Sequence, residues 1–175
     1  MKLRFGVDPA ALDQIRNRLD ALCAKPPVGR RLSHVYLDTP DGELAAHGIA
    51  VRFRRSAALG APSTARPWRR QQLNGKDAPD ASLKSLGIKD LKGRLDATFS
   101  VRIERWTWRV GDWARVSLDA SEVSTGTASE TFTELRIVCK KKRADRAMHF
   151  AVELGAMHLS SLRARDRGQA LLAQD

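Results

Sequence analysis

Two arginines on an alternating segment are the residues of this chain best suited to bind an anion. In the run Val51-Arg52-Phe53-Arg54, apolar and basic side chains alternate, so Arg52 and Arg54 project from one face of a predicted strand. A guanidinium carries a rigid fork of donors that pairs bidentately with phosphate or carboxylate oxygens. The spacing therefore predicts a phosphate-binding face, and the alternative is a basic strand face exposed to solvent.

The charge of the whole chain favours a polyanionic partner. The 175 residues include 31 Lys and Arg, 22 of them Arg, against 20 Asp and Glu, which gives a formal charge of +11. Such an excess is typical of proteins that bind nucleic acid, polyphosphate, nucleotides or an anionic membrane surface, although a solvated basic surface also produces it. Only 6 of the acidic residues are Glu, and this scarcity bears on metal binding.

Length and composition restrict the class of protein. A chain of 175 residues fits one domain, residues 1–175, that can bury a core without disulfides or metal ions. No apolar run approaches about 18 residues, so no membrane-spanning helix is predicted. Cys23 and Cys139 lie in apolar surroundings without CxxC spacing, and no signal peptide is recognisable. The sequence therefore predicts reduced thiols and a cytoplasmic protein.

Hydrophobic periodicity predicts a mainly β protein of the α+β class with about eight strands. Predicted strands cover residues 2–7, 30–38, 49–55, 67–73, 98–110, 114–118, 122–125 and 131–139. Predicted helices cover residues 9–23, 144–157 and 162–173, with one helical turn at 43–47 and a short helix near 81–86. Mostly antiparallel strands with few helices predict a barrel or a strongly curved sheet, whose charged faces line a polar interior or meet solvent.

A longer motif surrounds the two arginines. The run Tyr36-Leu37-Asp38-Thr39-Pro40-Asp41 is followed by Leu44, by Gly48-Ile49-Ala50 and by the arginine strand. Tyr36, Asp38 and Thr39 are expected to fix the strand-to-turn geometry, with Asp38 capping backbone N–H donors. This arrangement resembles the CYTH family, also called triphosphate tunnel metalloenzymes, which includes class IV adenylyl cyclases, thiamine triphosphatases and inorganic triphosphatases. Further segments resemble the family's motifs in the same order, at 68–73, 99–105, 116–123, 133–135 and 165–168. The resemblance implies an eight-stranded antiparallel closed β-barrel, or tunnel, with flanking helices.

The resemblance also implies two sets of site residues. The basic set is expected to bind phosphate and consists of Arg52, Arg54, Arg105, Arg4, Lys2 and Arg136. The acidic set could hold a metal ion and consists of Glu134, Asp119 and Glu122. Family members use Mg²⁺ or Mn²⁺, hard cations that prefer carboxylate oxygens. No catalytic residue is assigned.

The chain departs from the family pattern at the metal-binding carboxylates. Lys2 and Arg4 stand at the second Glu and the Lys of the family's E-x-E-x-K motif, and Arg136 and Val138 stand where two Glu residues should follow Glu134. Lys2 and Arg136 thus place positive charge where the family has carboxylates, and this charge repels a divalent ion. We therefore expect no cofactor and no efficient catalysis, with Mg²⁺ or Mn²⁺ needed only if the protein is active.

Three functions are compatible with the sequence. The first is binding of inorganic triphosphate, polyphosphate or a nucleoside triphosphate in a basic tunnel by a catalytically impaired family member. The second is metal-dependent triphosphatase activity with a rearranged site at Asp119, Glu122 and Glu134. The third is a nucleic-acid or protein interaction module, for which the basic run 140–143 is the candidate surface. Arg163 and Arg167 of the last predicted helix either contact phosphate or face solvent.

Overall fold

The computed structural model describes residues 1–46, 48–59, 69–73, 95–156, 158–160 and 163–174, with the backbone alone for 69–73. The strands are β1 (Lys2–Val7), β2 (Val28–Asp38), β3 (Ala50–Ala58), β4 (Arg69–Leu73), β5 (Asp96–Val110), β6 (Ala114–Ser124), β7 (Ser129–Cys139) and β8 (His158–Leu159). The α-helices are α1 (Leu12–Leu22), α2 (Glu43–Ala46), α3 (Ala144–Glu153) and α4 (Ala164–Leu172). Of the described helices, none is long and apolar enough to cross a membrane. The predicted helix near 81–86 lies outside the described residues.

The strands form one antiparallel sheet in the order β4-β3-β2-β5-β6-β7-β1-β8. The predicted antiparallel, mainly β fold with a few helices is confirmed. The predicted closed eight-stranded barrel is not: seven strands have five residues or more, β8 has two, and the described residues contain no pairing between β4 and β8. A two-residue edge strand offers too few backbone groups to close a barrel.

Strand β6 is longer than the sequence predicts. The predicted break between 118 and 122 is wrong, because β6 runs without interruption from Ala114 to Ser124 and pairs residue by residue with β5 and β7. Asp119 therefore lies between Arg105 on β5 and Glu134 on β7. Cross-strand partners share one face of a sheet, so the register alone brings these three side chains together.

The sheet is strongly curved. In a flat sheet β1 and β3 would lie about 24 Å apart, since five strand-to-strand steps of about 4.8 Å separate them in this order. Side chains of both strands nevertheless line one cavity of about 320 Å³. The strands thus curl so that one face of the sheet becomes an interior.

The outer face of the curled sheet is covered by α1 and α3. Apolar residues of β1, β5, β6 and β7 pack there against Ile15 and Leu19 of α1 and Ala147 and Ala151 of α3. Trp108 is 1% exposed and donates a hydrogen bond from Nε1 to Asp20 of α1 at 2.8 Å. Burying these apolar faces stabilises the outer layer, and it leaves the polar positions of the same strands to face inward.

Helix α4 covers one end of the inner face. Leu171 packs into an apolar cluster that includes Tyr36, Phe99 and Phe132, and the rings of Tyr36 and Phe99 stack with centroids 4.4 Å apart. At Gly168 a Cβ atom would overlap the Phe99 ring, so only glycine lets α4 approach this closely. The inner face is therefore apolar beneath α4 and polar farther along the strands.

The turn that leads into β3 is built as the sequence predicts. The Asp38 carboxylate accepts hydrogen bonds from the backbone N–H groups of Thr39, Leu44 and Ala45 at 2.8, 2.8 and 3.0 Å. The Thr39 hydroxyl accepts a further bond from the Glu43 N–H at 2.9 Å. These acceptors satisfy the free N–H groups at the start of α2. The turn thus positions β3 and its arginines.

Candidate functional site

The inner face forms a strongly basic cavity of about 320 Å³. Its basic lining comes from β1 (Lys2, Arg4), β3 (Arg52, Arg54), β5 (Arg105), β7 (Arg136), the first turn of α4 (Arg165) and the residue just before that helix (Arg163). Its acidic lining is Asp119 of β6 and Glu134 of β7. Eight formal positive charges against two negative ones leave an excess of six. Such an enclosed excess attracts anions.

Asp119 is held by two guanidinium groups. The exposed fraction of its side chain is 2%, and Arg105 reaches it with Nε–Oδ1 2.7 Å and Nη2–Oδ2 2.9 Å. Arg136 donates a further hydrogen bond to Oδ2. Burial raises the pKa of Asp119 to about 6, and the nearby Arg105 opposes the rise. Asp119 is thus ionised at neutral pH, with its carboxylate committed to protein partners.

Glu134 is the second buried carboxylate. It is 7% exposed, and its Oε1 atom makes no hydrogen bond to any described residue. Burial raises the pKa of Glu134, while Arg4, Arg167 and Lys2 oppose the rise. A buried carboxylate oxygen without a partner is costly, and nearby cations rather than direct bonds hold it here.

Several cavity cations lack a direct partner. Within the part of the chain that the structure describes, Lys2, Arg4 and Arg54 form no ion pair and no side-chain hydrogen bond. Partial burial, together with Arg4 and Arg105, lowers the pKa of Lys2. Burial, together with Arg52 and Arg54, lowers the pKa of His34 to about 3, so that this histidine is neutral. The cavity thus presents unneutralised cations around a neutral imidazole.

Two contacts fix the walls of the cavity. Arg52 donates a hydrogen bond from Nη1 to the Tyr36 hydroxyl at 3.1 Å. The Arg165 guanidinium donates to the Gly48 carbonyl at 3.4 Å, which ties α4 to the segment before β3. The α4 N-terminus also lines the cavity through 163–165, and the positive end of a helix dipole favours an anion there.

The structure brings together the basic residues that the sequence singles out. The six predicted phosphate-binding residues line this one cavity: Arg52, Arg54, Arg105, Arg4, Lys2 and Arg136. Arg163 joins them, whereas Arg167 pairs with Glu130 and lies over the Phe132 ring. Sequence reasoning missed the cavity positions of Arg165 and His34. The alternation of Leu32, His34 and Tyr36 on β2 was the available signal for the histidine.

The three predicted metal ligands are not brought together. Asp119 and Glu134 are adjacent, but Glu122 lies on the opposite face of β6, because residues three apart in a strand point to opposite sides. Glu122 pairs there with Arg102 at 3.6 Å and lines a larger outer cavity of about 820 Å³. The proposed set of three carboxylates is therefore wrong for Glu122. Among the described residues, no group of three His, Cys, Asp or Glu side chains is arranged to hold a metal ion.

Neither alternative surface matches the charge of the inner cavity. The outer cavity carries pairs that neutralise one another, such as Arg31 with Glu104 at 3.1 Å. The basic run 140–143 is exposed and lies outside the inner cavity, in the 3₁₀ turn Lys141–Arg143 before α3. Short charge runs at such places are generally solvated.

Comparison with known proteins places the fold. Residues 2–155 match the family model of the CYTH domain. The solved structure of HpAC1 from Hippeastrum, a proposed adenylyl cyclase described as having a dominant triphosphatase activity, is similar with a TM-score of 0.66 and 15% identity, covering 97% of this chain and 94% of that chain.

Two microbial structures are similar over comparable lengths. The PH1819 protein of Pyrococcus horikoshii has a TM-score of 0.58 and 10% identity, covering 99% of this chain and 98% of that chain. A proposed adenylate cyclase of Bacillus halodurans has a TM-score of 0.58 and 13% identity, covering 95% of each chain. Likeness at these identities concerns the fold, and the chemistry must be argued from the cavity itself.

Proposed function

This chain belongs to the CYTH domain family, and from that premise we propose that its inner cavity binds inorganic triphosphate, polyphosphate or the triphosphate group of a nucleotide without a metal ion. The observation that carries the proposal is the lining of the cavity, where eight cations face two carboxylates. A triphosphate chain is a compact polyanion, and guanidinium groups bind its oxygens in bidentate pairs. We also propose that the curled sheet forms a tunnel, supported by the presence of β1 and β3 in one cavity wall.

The donor set does not suit a divalent cation. Both oxygens of Asp119 accept hydrogen bonds from Arg105 or Arg136, so a metal would have to displace two guanidinium groups. Glu134 alone offers one uncommitted oxygen, and Arg4 and Lys2 lie near enough to affect its ionisation. Mg²⁺ and Mn²⁺ need several oxygen ligands, and positive neighbours oppose their entry. The proposal therefore includes no resident metal ion.

Electrostatic repulsion in the empty cavity favours anion binding. Cations that share a small, partly desolvated volume repel each other by amounts that grow as the local dielectric constant falls. Asp119 relieves this repulsion for Arg105 and Arg136, but Lys2, Arg4 and Arg54 have no such partner among the described residues. A bound phosphate chain would supply the missing negative charge, so binding should also stabilise the fold.

The two cysteines bear on the compartment in which the protein binds its ligand. Both Cys23 and Cys139 are free thiols, as expected in a reducing compartment. We propose the cytoplasm as the location and cytoplasmic phosphate compounds as the ligand class. Assays should therefore be made under reducing conditions.

Calorimetric titration with tripolyphosphate in EDTA tests the proposal. The wild-type protein should bind, and the double variant Arg52→Gln/Arg54→Gln should bind at least tenfold more weakly, because two guanidinium–phosphate pairs are lost. The matched control is Arg31→Gln/Arg102→Gln, which removes the same charge from exposed positions of the outer face and should bind like the wild type. Absence of binding at low salt refutes the proposal.

A phosphate-release assay separates the two other functions. Release that requires Mg²⁺ or Mn²⁺ and is lost in Glu134→Ala would favour an active triphosphatase. Nucleic-acid binding that survives Arg52→Gln/Arg54→Gln but is lost when 140–143 is neutralised would favour an interaction module. The proposed metal-free binding predicts neither result.

A further inference from the structure

A second basic cavity adjoins the inner one. Its volume is about 660 Å³, and it shares Lys2, Leu32, Arg54, Arg105 and Arg136 with the inner cavity. The two cavities are therefore adjacent and share a wall. We call this second cavity the outer subsite; it is distinct from the outer cavity that Glu122 lines. Beyond the shared residues it adds four cations: Lys25, Arg30, Arg109 and Arg115. Its described lining contains no Asp or Glu.

The strand register concentrates like charge in the outer subsite. Arg109 of β5 lies directly opposite Arg115 of β6, and Arg30 of β2 lies directly opposite Arg105 of β5. Like charges at directly opposed positions destabilise a sheet. None of Arg30, Arg109 and Arg115 has an ion-pair partner among the described residues. Arg105 is paired with Asp119, so the uncompensated positive charge of these pairs is that of Arg30, Arg109 and Arg115, and an anionic ligand would neutralise it.

The two cavities follow the strands in one direction. The inner cavity lies against α4 through 163–165, and the outer subsite includes Thr107 and Arg109 farther along β5. From Arg105 to Arg109 the strand advances about 13 Å. Cations thus continue from the α4 end toward the other end of the strands, past the residues that the two cavities share.

We propose that the outer subsite binds the continuation of a phosphate chain, so that the preferred ligand is linear inorganic polyphosphate longer than three phosphates. This inference rests on the proposed function, since one end of the chain would occupy the inner cavity. Arg30, Arg109 and Arg115 then bind later phosphates of the same chain. Affinity consequently increases with chain length until both cavities are filled.

The lining favours polyphosphate over a nucleic acid that carries a 5′-triphosphate. Proteins that bind single-stranded nucleic acid stack bases on exposed aromatic rings. The aromatic residue in the described lining of the outer subsite is Trp108, which is 1% exposed. It offers no free face to a base, so a chain of phosphates without bases suits this surface better.

Binding of a chain-length series tests the inference. Tripolyphosphate, medium-chain polyphosphate and a 5′-triphosphorylated oligonucleotide are titrated in EDTA against the wild type and Arg109→Gln/Arg115→Gln. The wild type should bind the longer polyphosphate at least tenfold more tightly than tripolyphosphate. The variant should lose about tenfold in affinity for the longer chain, because two cation–phosphate pairs at an exposed site are removed. Its affinity for tripolyphosphate should change by no more than about twofold, since exposed charges act weakly at a distance.

Matched neutralisation elsewhere controls for net charge. Lys141→Gln/Lys142→Gln removes the same charge from an exposed 3₁₀ turn and should leave both affinities near those of the wild type. Equal weakening of both ligands in the Arg109/Arg115 variant, or equal binding of short and long chains by the wild type, overturns the outer subsite while leaving the proposed function intact. Tighter binding of the oligonucleotide than of polyphosphate overturns the inference in favour of nucleic acid. Absence of tripolyphosphate binding refutes both proposals.

Discussion

Substitution of Asp119 by Asn should strengthen the binding of tripolyphosphate in EDTA. Asp119 contributes one of two negative charges in the cavity lining and occupies two guanidinium groups, those of Arg105 and Arg136. Asn has nearly the same shape but carries no charge. The substitution removes a repulsion toward the bound anion and frees donors for phosphate oxygens. A metal ligand would respond in the opposite way, because its loss weakens metal-dependent binding.

The size of the effect follows from the dimensions of the cavity. A volume of about 320 Å³ corresponds to a sphere of roughly 4 Å radius, which places a bound phosphate about 6 Å from the Asp119 carboxylate, where Coulomb interactions remain strong. At that distance and an effective dielectric constant of about 20, two unit charges interact by roughly 2.8 kcal/mol. We therefore expect an affinity gain of about tenfold to a hundredfold at low salt. The gain should shrink as salt is added.

Calorimetry at two salt concentrations measures this gain. The matched control is Glu122→Gln, which removes the same charge from the same strand, but on the opposite face beside Arg102, and should leave the affinity unchanged. Circular dichroism establishes that both variants remain folded. Weaker tripolyphosphate binding by folded Asp119→Asn would show that the reasoning about charge in this cavity is wrong.

The remaining predictions concern pH and folding. Wild type and Asp119→Asn should converge in tripolyphosphate affinity below about pH 6, where Asp119 takes up a proton, and diverge above it; parallel pH profiles by calorimetry would contradict this. Gly168→Ala should lower the free energy of unfolding, measured in urea, by about 1–3 kcal/mol, because the added methyl group meets the Phe99 ring. The control Gly126→Ala, which has open space around it, should change stability little. Equal effects of the two substitutions would refute the packing argument. Asp38→Ala should lower the free energy of unfolding by about 2–5 kcal/mol in the same assay, since three backbone N–H groups lose their acceptor. A loss below about 1 kcal/mol would count against the capping role of Asp38.

Local signals were sufficient to predict many of the elements and the basic half of the site. Alternation of apolar and basic residues places Arg52 and Arg54 on one strand face whatever the rest of the chain does. The capping role of Asp38 was likewise readable, because the acceptor and its N–H donors are close in sequence. Both were confirmed.

The acidic half of the site could not be read in the same way. Because the sequence predicts a break between 118 and 122, it does not show which residues of β6 share a face. In the continuous strand, alternation places Asp119 on the inner face and Glu122 on the outer face. The N-terminus of α4 posed a similar difficulty. The predicted helix 162–173 places Arg163 and Arg167 one turn apart on the same face. In the structure Arg163 precedes the helix, and Arg165 rather than Arg167 lines the cavity with it.

Periodicity, turn chemistry and family motifs in the chain established a curved antiparallel sheet with an arginine face, because these features depend on neighbours in sequence. The curl of the sheet decided the rest. It brings β1 and β3 to one cavity although four strands lie between them, and it sets Arg105 and Arg136 on either side of Asp119. Contacts of this kind depend on register and curvature, which are properties of the packed chain. They change a list of arginines into a cavity in which the Asp119 carboxylate is already bound by two guanidinium groups.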